Sequence, residues 1–154
     1  FGVWAGQQLF AERSDFFTRC IALHGTLRPV DDRYGIPHPF VDATRENFSE
    51  SIGDRFYRRM CRPDHVLQIF LEHRPQRSVQ NQKAELARLA ELVASYREEK
   101  SIFDTAIISS RDMIVPTAHQ ISFWQGRCPI IGIEGCHYPF TGWQDWSEIV
   151  ALHD

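Results

Sequence analysis

The chain has 154 residues, of which 24% are charged and 43% hydrophobic, with a formal net charge of −3 and a mean hydropathy of −0.34. Its length predicts one domain that can bury a sizeable core. The negative net charge argues against nucleic-acid binding. No apolar run approaches the ~20 residues of a membrane span. We therefore expect neither a nucleic acid nor a membrane as a partner.

The chain opens with a predicted helix, from Val3 to about Phe17, whose apolar residues form an imperfect face. The apolar run Cys20–Leu23 then predicts a short buried strand that ends at His24-Gly25. Prolines and aspartates are frequent from 28 to 39, and this composition is typical of turns without regular structure.

Residues 42–100 are predicted to be mostly helical. A helix start is expected at Thr44–Asn47, followed by an apolar helix face up to Met60, a short helix Val66–Glu72 and a long amphipathic helix Asn81–Glu99. A helical block of this length is too long for a simple crossover between strands. We therefore interpret it as a cap inserted over the strand ends.

The last third alternates strand and helix: strands at 104–110 and 128–133, and helices at 117–125 and 143–152. This alternation predicts the α/β class with a parallel sheet. The predicted domains are a core of residues 1–40 and 101–154, and a helical cap of residues 41–100.

Each of the two later strands is followed by a residue capable of acid–base chemistry, Asp112 after the first and His137 after the second. Loops at the carboxyl ends of parallel strands gather at one edge of the sheet, where active sites form. Singly, Asp112 resembles a helix cap and His137 a strand-end histidine. Together, in this order, they indicate the acid and base of an α/β-hydrolase triad.

No serine of the chain lies in the Gly-x-Ser-x-Gly turn that carries the nucleophile in that fold. The start of the chain, Phe1-Gly2 leading directly into a helix, looks like the second half of such a turn. A nucleophilic serine is therefore expected immediately before Phe1.

Five segments of the chain are specific in combination: Phe1-Gly2-Val3-Trp4-Ala5, Asp31-Asp32 with Tyr34-Gly35-Ile36-Pro37, Arg58-Arg59-Met60-Cys61, Ser109-Ser110-Arg111-Asp112 and His137-Tyr138-Pro139-Phe140. With these segments the chain resembles, nearly end to end, the BioG-type pimeloyl-[acyl-carrier protein] methyl ester esterases of biotin synthesis. In that family a Trp-Ser-x-Gly-Val-Trp segment forms the nucleophile turn. The chain looks like a member that lacks its first strands and its serine.

The resemblance implies an α/β-hydrolase fold in which Asp112 is the acid and His137 the base. The backbone N–H of Phe1 would be one oxyanion-hole donor, with the second donor outside this chain. The implied substrate is the methyl ester of a pimeloyl chain on an acyl-carrier protein. No cofactor or metal is expected, and the complete protein is expected to be a monomer.

The cap carries four arginines within eight positions, Arg55, Arg58, Arg59 and Arg62. A charge run is most often a solvated helix face. Acyl-carrier proteins are acidic, however, so these arginines are also docking candidates. Four phenylalanines are candidates for an acyl channel or for ordinary core positions: Phe40, Phe48, Phe56 and Phe140.

The four cysteines are widely spaced and form no Cys-x-x-Cys pair, which excludes zinc ribbons and thioredoxin-like sites. We expect free thiols, no signal peptide and a cytoplasmic location. A metal site of Cys128, Cys136, His137 and His119 matches no standard ligand spacing. Besides the methyl esterase, two functions remain open: a capped esterase or lipase for another substrate, and a catalytically inactive fragment that binds a carrier protein.

Overall fold

A three-stranded parallel sheet lies at the centre of the fold. In the computed structural model, which describes residues 1–96 and 100–152, the strands are β1 (Ile21–Leu23), β2 (Thr105–Ser109) and β3 (Ile130–Ile133). Their order in the sheet is β1-β2-β3, so the central strand pairs with a neighbour on each side. The predicted α/β class with a parallel sheet is confirmed.

The central strand β2 is the core of the sheet. All five of its residues are buried, as expected for a parallel strand covered on both faces. Phe123 and Trp124 pack into the same core as Ala106 and Ile108, and both aromatic side chains are fully buried. The Trp124 indole N–H donates to the Gly25 carbonyl oxygen at 2.8 Å, so its polar atom is satisfied inside the core.

The first helix, α1, spans Gly2–Phe10 and is shorter than the sequence predicts. It continues as 3-10 turns over Ala11–Phe16, with a break at Arg13, where φ is −132°. The fully buried Gln7 side chain ties α1 to the segment before β2: its amide donates to the Lys100 carbonyl and accepts from the Ile102 N–H, both at 3.0 Å.

Four helices lie between β1 and β2, and we call them the cap helices. They are α2 (His38–Asn47), α3 (Glu50–Met60), α4 (Asp64–Glu72) and α5 (Val79–Ala94). The end predicted for the long amphipathic helix, Glu99, lies outside the described residues. The division into a core and a cap, with boundaries at 40 and 101, stays a prediction.

The predicted start of α2 is wrong, because the helix begins six residues earlier, at His38. Prolines at 37 and 39 indicated irregular structure, but the first turn of a helix tolerates proline since its N–H groups have no partner within the helix. Asp32 supplies the missing acceptor: its carboxylate accepts a hydrogen bond from the His38 backbone N–H at 2.8 Å. This bond fixes where α2 starts.

Two helices follow β2 and β3. Helix α6 spans Thr117–Trp124, close to its prediction, whereas α7 spans Trp146–Ala151 and begins three residues later than predicted. Asp145 accepts a hydrogen bond from the Ser147 N–H at 2.7 Å and so caps α7 at this later position. Within residues 1–96 and 100–152, no helix has both the length and the apolar character needed to cross a membrane.

Candidate active site

Asp112 and His137 meet at the carboxyl edge of the sheet. The His137 Nδ1 lies 2.8 Å from the Asp112 Oδ2, a hydrogen-bond distance. The Asp112 side chain is fully buried, whereas the His137 side chain is 22% exposed. The two residues that the sequence placed after consecutive strands are therefore in direct contact, with the imidazole turned partly toward solvent.

The Asp112 carboxylate is held by four N–H donors. Its Oδ1 accepts from the backbone N–H groups of Ile114 and Val115, at 2.8 and 3.0 Å. Its Oδ2 accepts from the Gln120 side-chain amide at 2.8 Å, in addition to His137. Three of these donors are amide N–H groups, and an ionised carboxylate can only accept, so His137 Nδ1 carries the proton of the fourth contact. The other ring nitrogen, Nε2, is then the basic atom of the neutral imidazole.

Backbone hydrogen bonds join the loop of Asp112 to the loop of His137. The Ser110 N–H donates to the Ile133 carbonyl at 2.9 Å, and the Arg111 N–H donates to the Gly135 carbonyl at 3.0 Å. Gly135 has a φ of +139°, a conformation that L side chains rarely adopt, which explains a glycine two residues before His137. These bonds extend the β2–β3 pairing into the loops.

A second histidine, His24, lies beside His137 at the end of β1. It is 6% exposed, and the centroids of the two imidazole rings are 5.7 Å apart. Burial lowers the pKa of His24 to about 4, so this ring is neutral at pH 7. The sequence predicts His24 only as the end of a strand; the available signal is a polar residue directly after an apolar run.

One cluster could by its composition hold a metal ion: His24, Asp112 and His137, whose ligand atoms lie within 4.8 Å of one another. Among the described residues, no other cluster of three or more such side chains is present. The polar atoms of these three residues are already engaged with protein groups. Both ring nitrogens of His24 lie within 2.9 Å of protein oxygens, and Asp112 has four donors. This donor set fits a hydrogen-bonded acid–base pair better than a cation.

Two adjoining cavities open at this edge of the sheet. The smaller, about 110 Å³, is lined by His24, Gly25 and His137 among others. The larger, about 340 Å³, lies against the cap helices and is mainly apolar, with walls that include Phe40, Phe48, Phe56, Leu86 and Leu89. Phe1 and Ile36 line both cavities, so the two share a wall.

Three of the four phenylalanines predicted as channel candidates line the larger cavity, and Phe140 does not. The Phe140 ring packs instead against Tyr138 and Trp146, with centroid distances of 5.1 and 5.6 Å. Leu86 and Leu89 of α5 were predicted only as an apolar helix face. In the structure, this apolar face of α5 lines the larger cavity.

The four arginines of the cap differ in environment. Arg55, Arg58 and Arg62 are exposed, and none has an ion-pair partner among residues 1–96 and 100–152. Arg59 is half-buried: it donates to the Met113 carbonyl at 2.9 Å, lies over the Phe40 ring and lines the larger cavity. Three of the predicted docking residues therefore offer free guanidinium groups at the surface, and the fourth is engaged inside.

A family profile described as "Pimeloyl-ACP methyl esterase BioG" matches residues 1–149. The chain belongs to the BioG family. The family assignment agrees with the resemblance seen in the sequence, and it extends over both the strands that carry Asp112 and His137 and the cap helices between them. It places the chain among proteins of biotin synthesis.

Two relatives and one solved structure are similar to this BioG-family chain. The malonyl-[acyl-carrier protein] O-methyltransferase of Bacteroides fragilis is 35% identical over 138 residues, which are 89% of this chain and 28% of that protein. An uncharacterized protein of Haemophilus influenzae is 30% identical over 96% of this chain and 68% of its own length. The crystal structure of BioG from Haemophilus influenzae is 31% identical, with a TM-score of 0.89 over 99% of this chain and 69% of that chain.

The chain therefore spans between about a quarter and about two thirds of the length of these relatives. The structural match includes the parallel sheet and the helices inserted between β1 and β2. It confirms the α/β fold class.

Proposed function

We propose that this chain is the acid- and base-bearing part of a carboxylesterase that cleaves the methyl ester of pimeloyl-[acyl-carrier protein]. The observation that carries the proposal is the 2.8 Å contact between His137 Nδ1 and the buried Asp112 carboxylate, beside an apolar cavity of about 340 Å³. This combination supports acyl transfer from a long aliphatic ester. The BioG family assignment supports the substrate class.

In the proposed mechanism the nucleophile is a serine directly before Phe1. His137 Nε2 takes the serine proton as the oxygen bonds to the ester carbonyl carbon, and Asp112 stabilises the imidazolium that results. His137 then returns the proton to the departing methoxide, which leaves as methanol. Water attacks the acyl-enzyme with the help of the same imidazole, which releases the free carboxylic acid and regenerates the serine.

The tetrahedral oxyanion needs N–H donors that point at the developing charge. We assign one of them to the backbone N–H of Phe1, the residue after the proposed nucleophile. Its position supports the assignment, because Phe1 lines both the small cavity with His137 and the larger apolar cavity. The chemistry requires no cofactor and no metal.

The proposed partner is an acyl-carrier protein, whose surface is acidic. Arg55, Arg58 and Arg62 support this partner because they are exposed and are not neutralised by an ion pair within the described part of the chain. Attraction between free guanidinium groups and a carboxylate-rich surface speeds encounter and weakens as salt rises. We assign Arg59 to the cap itself, given its contacts with Met113 and Phe40.

The names of one relative and of the family both concern carrier-bound acids. The Bacteroides fragilis relative is named as a methyltransferase for malonyl-[acyl-carrier protein], and the family description names a methyl esterase for pimeloyl-ACP. Both names describe a methyl group on an acid carried by this type of protein. We further propose a cytoplasmic monomer, in keeping with four free cysteines.

The experiment uses the full-length protein that contains this chain and the preceding serine. Methanol release is measured from pimeloyl methyl ester bound to the carrier protein, with a p-nitrophenyl ester as the comparison substrate. Preferred cleavage of the carrier-bound ester supports the proposal. Cleavage of the p-nitrophenyl ester alone indicates a general esterase, and carrier binding without turnover of either ester indicates a catalytically inactive binding protein.

A further inference from the structure

His24 makes two hydrogen bonds that together define its tautomer. Its Nδ1 lies 2.9 Å from the backbone carbonyl oxygen of His137, and its Nε2 lies 2.8 Å from the Ser109 hydroxyl oxygen. A carbonyl oxygen can only accept, so Nδ1 must carry the proton. In the neutral ring Nε2 is then the acceptor, and the Ser109 hydroxyl donates to it.

The position of His24 is determined by the sheet. Its backbone N–H donates to the Ile107 carbonyl at 3.1 Å, which continues the β1–β2 pairing by one residue past Leu23. Its φ of +49° then turns the chain, so that the ring points along the carboxyl edge of the sheet. Histidine is one of the residues other than glycine that adopt this conformation more often, so the turn is compatible with an imidazole at this position.

We propose that His24 is a positioning residue for the base: its Nδ1–H holds the carbonyl oxygen of His137 and thereby fixes the direction in which the His137 ring meets Asp112. Ser109 is its anchor, because the hydroxyl at the end of β2 fixes the ring of His24 in turn. The chain of contacts runs from Ser109 through His24 to His137 and crosses all three strand ends. The hydrogen bond to Asp112 fixes only the imidazole of His137, whereas the bond from His24 fixes its backbone carbonyl.

Burial supports the same arrangement. His24 and Ser109 are both buried, at 6% and 0% exposure, so water does not compete for their hydrogen bonds. The low pKa of His24, caused by its burial, keeps the ring neutral at pH 7. A charged second imidazole 5.7 Å from His137 would disfavour the imidazolium that the proposed mechanism requires. A neutral ring avoids this repulsion.

The direct test is the tautomer of His24, read from the ring nitrogen resonances of the ¹⁵N-labelled full-length protein. The expected result is a protonated Nδ1 and an unprotonated Nε2 on His24. A proton on Nε2 would remove the donor to the His137 carbonyl and overturn the inference. Titration with Zn²⁺ serves as the second arm, since stoichiometric binding that shifts both the His24 and the His137 resonances would assign these residues to a metal site instead.

The kinetic arm rests on the proposed function and uses the full-length protein. Asparagine tolerates a positive φ and can place an N–H donor where His24 has Nδ1, whereas glycine tolerates the same φ without a donor. We expect His24→Gly to lower kcat about tenfold, with KM unchanged, because the base loses one hydrogen bond that orients it. His24→Asn should restore most of kcat.

The outcomes separate the two proposals. Equal losses of kcat for His24→Asn and His24→Gly, or a rise in KM alone, would contradict a positioning role while leaving the esterase proposal intact. A different outcome is that the unmodified full-length protein shows the expected His24 tautomer but no esterase activity. That result would reject the proposed reaction and would still support the hydrogen bond from His24 to the His137 carbonyl. A thermal melt of each variant shows whether it folds.

Discussion

The Arg59 guanidinium of helix α3 donates to the backbone carbonyl of Met113, the residue that follows Asp112, at 2.9 Å. One residue further along, the Met60 carbonyl accepts from the Tyr138 N–H at 3.1 Å, directly after His137. The end of a single cap helix therefore contacts both loops of the candidate site. Substitutions there are expected to affect the chemistry as well as the binding of a partner.

We predict that Arg59→Met and Arg58→Met have different kinetic effects. Arg59→Met removes the bond to the Asp112 loop and should lower kcat/KM about tenfold for carrier-bound and free methyl esters alike. Arg58→Met removes only an exposed charge and should raise KM for the carrier-bound ester, with little effect on the free ester. Assays of both esters at low and high salt check the difference; the same profile for both variants would contradict it.

Asp112→Asn is expected to lower kcat by about four orders of magnitude, and a thermal melt shows whether the variant folds, because an amide N–H in place of Oδ2 also faces the Gln120 donor. The amide group keeps the size of the carboxylate but can turn an N–H toward His137 and so favours the wrong ring tautomer. His137→Ala should reduce turnover to a similar level. The kcat of the double variant should be no lower than that of either single variant, because the two residues act as a unit. Additive losses of kcat would indicate separate roles.

Gly35→Ala should destabilise the fold by an amount on the order of 3 kcal/mol. A Cβ at Gly35 would lie 2.0 Å from the Arg28 carbonyl oxygen and 2.8 Å from the Pro29 carbonyl carbon, and neither backbone atom can move aside easily. Gly142→Ala is the matched control, since nothing lies within 4 Å of its Cβ position. Urea unfolding of both variants provides the comparison, and equal midpoints would show that the loop at Gly35 adapts.

Stability should fall on acidification through the titration of His24. Its folded pKa, about 4, lies below the ordinary value of 6.5, so between these pH values the unfolded chain binds more protons. The free energy of unfolding should therefore lose about 3 kcal/mol from this group as pH falls from 7 to 4. His24→Asn should lack this component, and the difference between the two unfolding curves isolates it from the carboxylates. Parallel pH curves would exclude it.

Gly53→Leu is expected to narrow the larger cavity. Gly53 lies in α3 and lines the cavity, and a Cβ there would contact Phe48 at an ordinary 3.8 Å, so Gly53→Ala fits. The leucine side chain should reduce kcat/KM for a long acyl ester but spare an acetyl ester. Gly53→Ala should retain both activities and gain up to about 1 kcal/mol of stability from helix propensity. Equal losses on both esters would place the acyl chain elsewhere.

The sequence predicts the parts of the site that depend on local order along the chain. Asp112 follows the buried strand β2 and His137 follows the more exposed strand β3, and parallel pairing must bring the loops after such strands to one edge of the sheet. The structure puts these two residues in direct hydrogen-bond contact. Helices α4 and α5 were also predicted, because each has its own apolar periodicity. Where the sequence predicts one helix from Thr44 to Met60, however, the structure has two, α2 and α3.

What the sequence does not predict depends on contacts between distant segments. Nothing near His24 indicates that its ring reaches Ser109, which is 85 positions away. Arg59 has the same local sequence signal as its exposed neighbours and differs only through Met113 and Phe40. The start of α2 depends on Asp32, a side-chain cap outside the helix that periodicity does not detect.

The register of β2 and β3 has a consequence for how such chains can change in length. Ser109 pairs with Ile133, and the loops that follow carry Asp112 and His137. Deleting one residue from either strand would shift its loop by roughly 3.3 Å and turn its side chains to the opposite face. The connection between α4 and α5, at positions 73–78, is mostly exposed and lies outside the sheet. Insertions are therefore expected to accumulate in that connection, while the two strands keep a constant length.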